Sequence, residues 1–245
     1  SLARRVAGAY VAWKAPGGQY TQDLSNRSAE RGVNAPFTCF EDADLDAAVA
    51  GALICKFRNS GQTCISANRI YVQDGIYDEF VSRLVTEASK LKVGSGLDPE
   101  TNVGPLIEQA ALDKVQRHVG DAVERGGEVL LGGEGLGGLF WQPTVITGVT
   151  ADAAMSCEET FGPVAGIARF TSEVEAVREA NDTPYGLAAY YYKRDNARTR
   201  RPSGALEYGV HGITTALISD EVVPSGGVSE PGVGAAGPRS RTGGG

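Results

Sequence analysis

The sequence is short of the residues that hold metals or staple small folds. It has two histidines, His118 and His211, and its four cysteines, Cys39, Cys55, Cys64 and Cys157, fall at no CxxC spacing. Neither a zinc site, nor a disulfide framework, nor a Cys-His catalytic pair is expected from that inventory. Scattered thiols of this kind suit a reducing compartment, the cytosol first. Positive charge is also in deficit: 23 Lys and Arg stand against 30 Asp and Glu, for a formal net charge of -7. That balance argues against a general nucleic-acid or anionic-membrane surface. No apolar run approaches the ~20 residues of a membrane-spanning helix. The short apolar stretch near the N-terminus is broken by Lys14 and precedes no cleavage site, so it is not read as a signal peptide. The single methionine, Met155, suits a fragment.

What the sequence does have is alternation. Residues 42–57, DADLDAAVAGALICKF, read as a helix with Asp42 as N-cap and Leu45, Val49, Ala52 and Leu53 at helical spacing. RIYV at 69–72 reads as a strand, 76–92 as an amphipathic helix, and 107–125 as a second long helix ended by Gly126 and Gly127. Strands follow at 128–133, 164–170 and 186–192, with a Ser- or Thr-capped helix, SEVEAVREAN, before the last. This order predicts an α/β fold, a layered and largely parallel sheet flanked by helices. Residues 1–29 show no clean periodicity and read as an atypical N-terminal segment. The main domain is expected over 30–224, and the Gly/Ser/Pro-rich 225–245 reads as a poorly ordered tail.

One stretch stands apart: FRNSGQTCISANR, residues 57–69. Cys64 follows Asn59, Ser60, Gly61, Gln62 and Thr63, which are turn formers and polar residues rather than core neighbours. An accessible cysteine near positive charge suits a nucleophile, and Arg58 and Arg69 lie close in sequence. A small cysteine buried in a loop-to-strand turn fits the same residues. The other three cysteines are expected in or near the core, and His118 is expected on the solvent face of its helix. The acidic run EDADLD opens a helix, where the dipole favours negative charge.

The segment KFRNSGQTCISANRIYV resembles the active-site cysteine region of the aldehyde dehydrogenase superfamily. Further pieces agree in order: NAPFTCFEDADLDAAV, VGPLIEQAALDKV, FWQPTVITGV followed by EETFGPV, NDTPYGLAAYYYKRD, and ALEYGVHGI. KFRNSGQTC and LISDEVVP carry a narrower likeness, to succinate-semialdehyde dehydrogenases. The resemblance implies the superfamily's catalytic-domain fold and the NAD- or NADP-dependent oxidation of a small aldehyde, succinate semialdehyde in the narrower case. It also implies site residues. Cys64 would be the nucleophile, passing through a thiohemiacetal and a thioester, with its backbone N–H helping to hold the oxyanion. Glu30 would be the general base; Glu159 and Phe161 would contact the nicotinamide ribose and ring. Arg58 and Ser219 would bind a carboxylate at the far end of the substrate. The position at which some relatives carry a second, switch-forming cysteine is Ser66.

The chain departs from the family pattern in places. Around Glu30 it reads ERGV where the family has ELGG, Thr214 stands at an asparagine position, and Ser225 replaces a phenylalanine. The segment that supplies most of the dinucleotide cradle in the family is unmatched, so NAD and NADP are not distinguished, and the isolated chain is expected to have little dehydrogenase activity. The family suggests a homo-oligomer, although its C-terminal oligomerisation strand is not recognisable here. The mitochondrial matrix is the alternative compartment. The alternative functions are a non-catalytic interaction or structural unit and a cofactor-independent thiol esterase.

Overall fold

The computed structural model describes residues 34–183 and 188–194, and the backbone of three further strands. In chain order the elements are β1 (Ala35–Cys39), α1 (Leu45–Phe57), β2 (Ala67–Gln73), α2 (Tyr77–Ala88), α3 (Gln109–Glu124), β3 (Glu128–Leu131), β4 (Gly135–Gly137) and β5 (Phe140–Trp141). They continue with β6 (Thr144–Thr147), α4 (Ala154–Cys157), β7 (Val164–Phe170), α5 (Glu173–Asn181), β8 (Ala188–Tyr192), β9 (Val210–Ile213), β10 (Ser225–Gly226) and β11 (Ala235–Ala236). Seven strands form one sheet in the order β3-β6-β7-β2-β1-β8-β9. Every neighbouring pair is parallel except β3 with β6, at one edge. The α/β reading therefore holds, with mostly parallel strands between helices.

Strand periodicity sorts the core into two faces. Phe37, Ile70, Val72, Tyr190 and Tyr192 pack with Ala48, Val49, Ala52 and Phe57 of α1 and with Phe80, Val81 and Leu84 of α2. Their alternates turn the other way: Tyr71 and Tyr191 join Phe170 of β7 and Ala176 of α5, while Ile146 and Val164 join Val115 and Val119 of α3. Helix α1 lies close on the sheet because Gly51 has no side chain there. A Cβ at that position would sit 2.0 Å from the Tyr192 hydroxyl, and the Tyr192 ring stacks on Phe37 with centroids 4.9 Å apart.

Several expectations change in detail. Helix α1 starts at Leu45 rather than Asp42, because Asp44 is the residue with extended backbone whose carboxylate accepts from the Ala47 N–H, at 3.1 Å. No element is read at β1 from the sequence, and the strand carries Pro36, a residue that central strands disfavour. The structure absorbs the proline at the strand's first residues, where the pairing with β2 shifts register between Ala35 and Pro36. His118 is fully buried, not on a solvent face, and Cys157 is exposed, not in the core. Arg69 is also buried, on β2; its guanidinium donates to the carbonyls of Asn34, Glu179 and Ala180. In the tail, β10 and β11 pair antiparallel.

Candidate active site

The segment between α1 and β2 is built to present a side chain. Three consecutive residues, Asn59, Ser60 and Gly61, have φ of 51°, 57° and 72°. Asparagine and glycine tolerate this left-handed region, but serine enters it at a cost of order 1–3 kcal/mol. The turn is secured at several points. The Asn59 side-chain amide donates to Gln62 O, and the Ser60 hydroxyl donates to Gly104 O at 2.9 Å. The Gln62 side chain bridges to Pro105 O and to the Ile107 N–H. Cys64 follows in a tight turn closed by Ser66 N to Thr63 O, and it is exposed. Just beyond it the Tyr190 hydroxyl donates to Ile65 O at 2.6 Å, tying the turn to β8. The buried-cysteine alternative for Cys64 is thereby set aside.

The second wall is residues 158–163, between α4 and β7, which carry Glu159 and Phe161. Glu159 is half-buried, and Phe161 holds a φ of 52°, the only other positive value at a non-glycine residue among the described residues. Asn68 on β2 holds this segment from both sides of Glu159. Its side-chain oxygen accepts from the Thr160 N–H at 2.9 Å, and its amide nitrogen donates to Glu158 O and Met155 O, at 2.9 and 2.7 Å. The same nitrogen reaches the side-chain oxygen of Asn34, whose own amide donates to Ser156 O. His118 bonds the Thr160 hydroxyl and the Glu158 carboxylate from α3. The two walls touch where Gly61 meets Gly162: a Cβ on Gly61 would lie 2.2 Å from Gly162 O and 2.9 Å from Lys56 O.

The electrostatics follow from this packing. Partial desolvation pushes the Cys64 thiol above its ordinary value; its own backbone N–H opposes the rise, and the Glu159 charge adds to it. Cys64 is thus mainly protonated at neutral pH. Cys39 and Cys55, buried at the core, are pushed to about 12 by desolvation. Lys56, on the last turn of α1, is buried and lowered to about 8, chiefly by desolvation, with Glu159 and then Cys55 opposing the fall. The positive group nearest the cysteine turn in sequence, Arg58, is the exposed C-cap of α1 and makes no ion pair with another described residue.

The structure therefore packs the turn before Cys64 against the segment that carries Glu159 and Phe161, with Arg58 at the start of that turn. Glu30 and Ser219 lie outside the described residues. No group of three or more metal-ligating side chains occurs among the described residues.

A family model described as "Aldehyde dehydrogenase family" matches residues 10–242. The chain belongs to the aldehyde dehydrogenase family. A relative named succinate-semialdehyde dehydrogenase [NADP(+)] GabD, from Escherichia coli, is 52% identical over 218 residues, which are 88% of this chain and 45% of the relative. A glutarate-semialdehyde dehydrogenase from Pseudomonas putida is 52% identical over 213 residues, 87% of this chain and 44% of that one. Among solved structures, betaine aldehyde dehydrogenase from Staphylococcus aureus in complex with NAD+ matches with a TM-score of 0.80 at 33% identity, covering 83% of this chain and 42% of that one. The chain spans less than half the length of each.

Within this aldehyde dehydrogenase chain, two site residues escape a reading by motif. Asn68 stands just ahead of the strand read at 69–72, and only the fold shows its amide holding a distant loop. Lys56 falls on a helix whose charged residues are expected in water. The available signal is its helical phase: Lys56 lies four residues after Ala52 and seven after Val49, both buried.

Proposed function

We propose that the chain carries the catalytic-cysteine portion of an NAD(P)-dependent aldehyde dehydrogenase whose substrate is a short aldehyde with a carboxylate at its far end. Succinate semialdehyde is the first candidate. The observation that carries the reading is the exposed Cys64, raised on a left-handed turn that packs through Gly61 onto the segment bearing Glu159 and Phe161. Two relatives at equal identity carry names that differ in the substrate's length but share its terminal acid.

The residues present fit the nicotinamide end of a dinucleotide. A half-buried carboxylate, Glu159, accepts hydrogen bonds from ribose hydroxyls, and an aromatic ring, Phe161, held in a fixed left-handed conformation, offers a flat face. When bound, the nicotinamide supplies the hydride acceptor. The chain's own residues do the rest. The Cys64 thiol loses its proton and its sulfur adds to the aldehyde carbon, forming the C–S bond of a thiohemiacetal. In this scheme the Cys64 backbone N–H donates to the oxygen that gains negative charge. Loss of the carbon-bound hydrogen with its electron pair leaves a thioester on Cys64. Water adds to that thioester, the carbon–sulfur bond breaks, and the acid departs while the thiol recovers its proton. The Arg58 guanidinium pairs with the distal carboxylate, and Ser219 adds a hydroxyl. Glu30 is the general base in this scheme.

The test is reduction of NAD+ and of NADP+ by the purified chain with succinate semialdehyde, beside Cys64→Ala. The expected result is turnover that is weak, because the chain spans under half of its relatives, and that disappears in the variant. Turnover that survives Cys64→Ala overturns the assignment.

A further inference from the structure

Helix α3 buries Val115, His118, Val119 and Ala122 on one face. His118 is the polar member of that set, and it is 0% exposed. A buried imidazole is costly unless its ring nitrogens are met. Both are met by one short segment, the one that carries Glu159 and Phe161. Nδ1 lies 3.1 Å from the Thr160 hydroxyl, and Nε2 lies 3.3 Å from the Glu158 carboxylate. These partners assign the tautomer. Glu158 also pairs with Arg117 at 2.7 Å, which holds it as a carboxylate, an acceptor only. Nε2 therefore carries the ring proton, and Nδ1 of the neutral ring accepts from the Thr160 hydroxyl. Desolvation lowers the His118 pKa and so favours that neutral ring. The helix also packs directly on the segment: a Cβ on Gly162 would lie 2.4 Å from Val115 Cγ2.

The two residues held by His118 flank Glu159. Glu158 has φ of -116° and ψ of 149°, an extended backbone, and successive side chains of an extended chain face opposite ways. With Glu158 and Thr160 both turned to α3, Glu159 between them is turned away from it. We propose that His118 is a positioning residue for the cofactor-contact segment: by gripping the side chains of Glu158 and Thr160 together, it fixes the side on which Glu159 is presented. Asn68 does a different job, because it bonds only main-chain atoms of the segment and of Met155. His118 reads the side chains, one residue to either side of the carboxylate. Thr160 is buried, so its hydroxyl is an anchor rather than a second nucleophile. The inference rests on the ribose-binding reading of Glu159 above and deepens it.

The test compares Thr160→Val, which keeps the volume and removes the hydroxyl, with Thr160→Ser, which keeps the hydroxyl. The first readout is amide hydrogen exchange by mass spectrometry, on the peptide covering 158–164 with a peptide from α2 as control. Thr160→Val should speed exchange in the segment by about tenfold and leave α2 unchanged, and Thr160→Ser should stay near wild type. A segment as protected in Thr160→Val as in wild type, a serine variant as fast as the valine one, or an equal rise in α2 overturns the proposal. The second readout is nitrogen NMR of the His118 ring at neutral pH, which should place the proton on Nε2; a proton on Nδ1 overturns the assignment. The third is binding of nicotinamide mononucleotide, which carries the nicotinamide ribose without the adenosine half, followed by saturation-transfer NMR. Binding should weaken in Thr160→Val and recover in Thr160→Ser. A chain that shows the exchange pattern yet binds no mononucleotide keeps the role of His118 in holding the segment and loses the cofactor reading of Glu159. A Thr160→Val chain that binds it as wild type does keeps the cofactor reading and overturns the role of His118.

Discussion

Gly61 is the residue at which the site is least forgiving. Its φ of 72° disfavours any side chain, and a Cβ would collide with the carbonyl of Gly162 at 2.2 Å. Gly61→Ala is expected to cost about 1–3 kcal/mol in backbone strain alone. Relief requires the cysteine turn and the Glu159 segment to part. Thermal unfolding should therefore show a lower midpoint, and alkylation of Cys64 should change even in the fraction that stays folded. A midpoint equal to wild type would mean that the contact is not made in solution. The sequence allowed part of this to be read: a glycine among turn formers, three residues before an odd cysteine, marks a backbone with a special shape. It could not show what Gly61 touches, because Gly162 lies about a hundred residues away and no local pattern pairs the two.

At the scale of elements, β2 is the strand that organises the site. Its side chains to one face build the core, and Asn68 reaches from it to grip the loop ahead of β7. Asn68→Ala leaves the Thr160 N–H and the Glu158 and Met155 carbonyls without that partner. An unmet buried group costs roughly 1–3 kcal/mol, so the expected loss is about 3 kcal/mol, read as a fall in the denaturant midpoint. Asn68→Asp keeps the acceptor for Thr160 but not the donors, and should also be destabilised, because it buries a charge. The long amphipathic helices and the apolar strand VAGIARF were legible because their periods of hydrophobicity match their burial. Strand β1 was not, because it is buried on both faces, has only five residues and carries a proline. The network around Asn68 was hidden for a related reason: buried polar residues carry no period, and their partners are backbone atoms of distant segments.

For the whole molecule, the buried polar groups set how stability responds to acid. His118 is fully buried, and burial lowers its pKa below the ordinary 6.5, against the pull of Glu158. A folded-state pKa below the unfolded one means that the unfolded chain binds the proton more readily. The His118 contribution to stability is therefore whole above about 6.5 and is lost as pH falls through that value and below it. Melting temperature should decline from pH 7 to pH 5, and the decline should be shallower in His118→Gln. An equal slope in both proteins would assign the acid sensitivity to the carboxylates instead. Fold class was open to inspection at this scale, since strands alternating with helices admit few other architectures. The solvent-facing expectation for His118 failed because a single polar residue on a helix says nothing about what packs over it.

The cysteine turn enters β2 at its first residue, and the Glu159 segment enters the neighbouring β7 in the same way, so Cys64 and Glu159 share one rim of the parallel sheet. The opposite rim, where β2 ends at Gln73, lies about 20 Å away along the strand. That geometry makes the far rim a natural handle. A dye or surface tether installed beside Gln73 would stand one strand-length from the sulfur, near enough for energy transfer to a label on Cys64 and too far to crowd a substrate. The sheet would then serve as a built-in ruler for distances measured from Cys64.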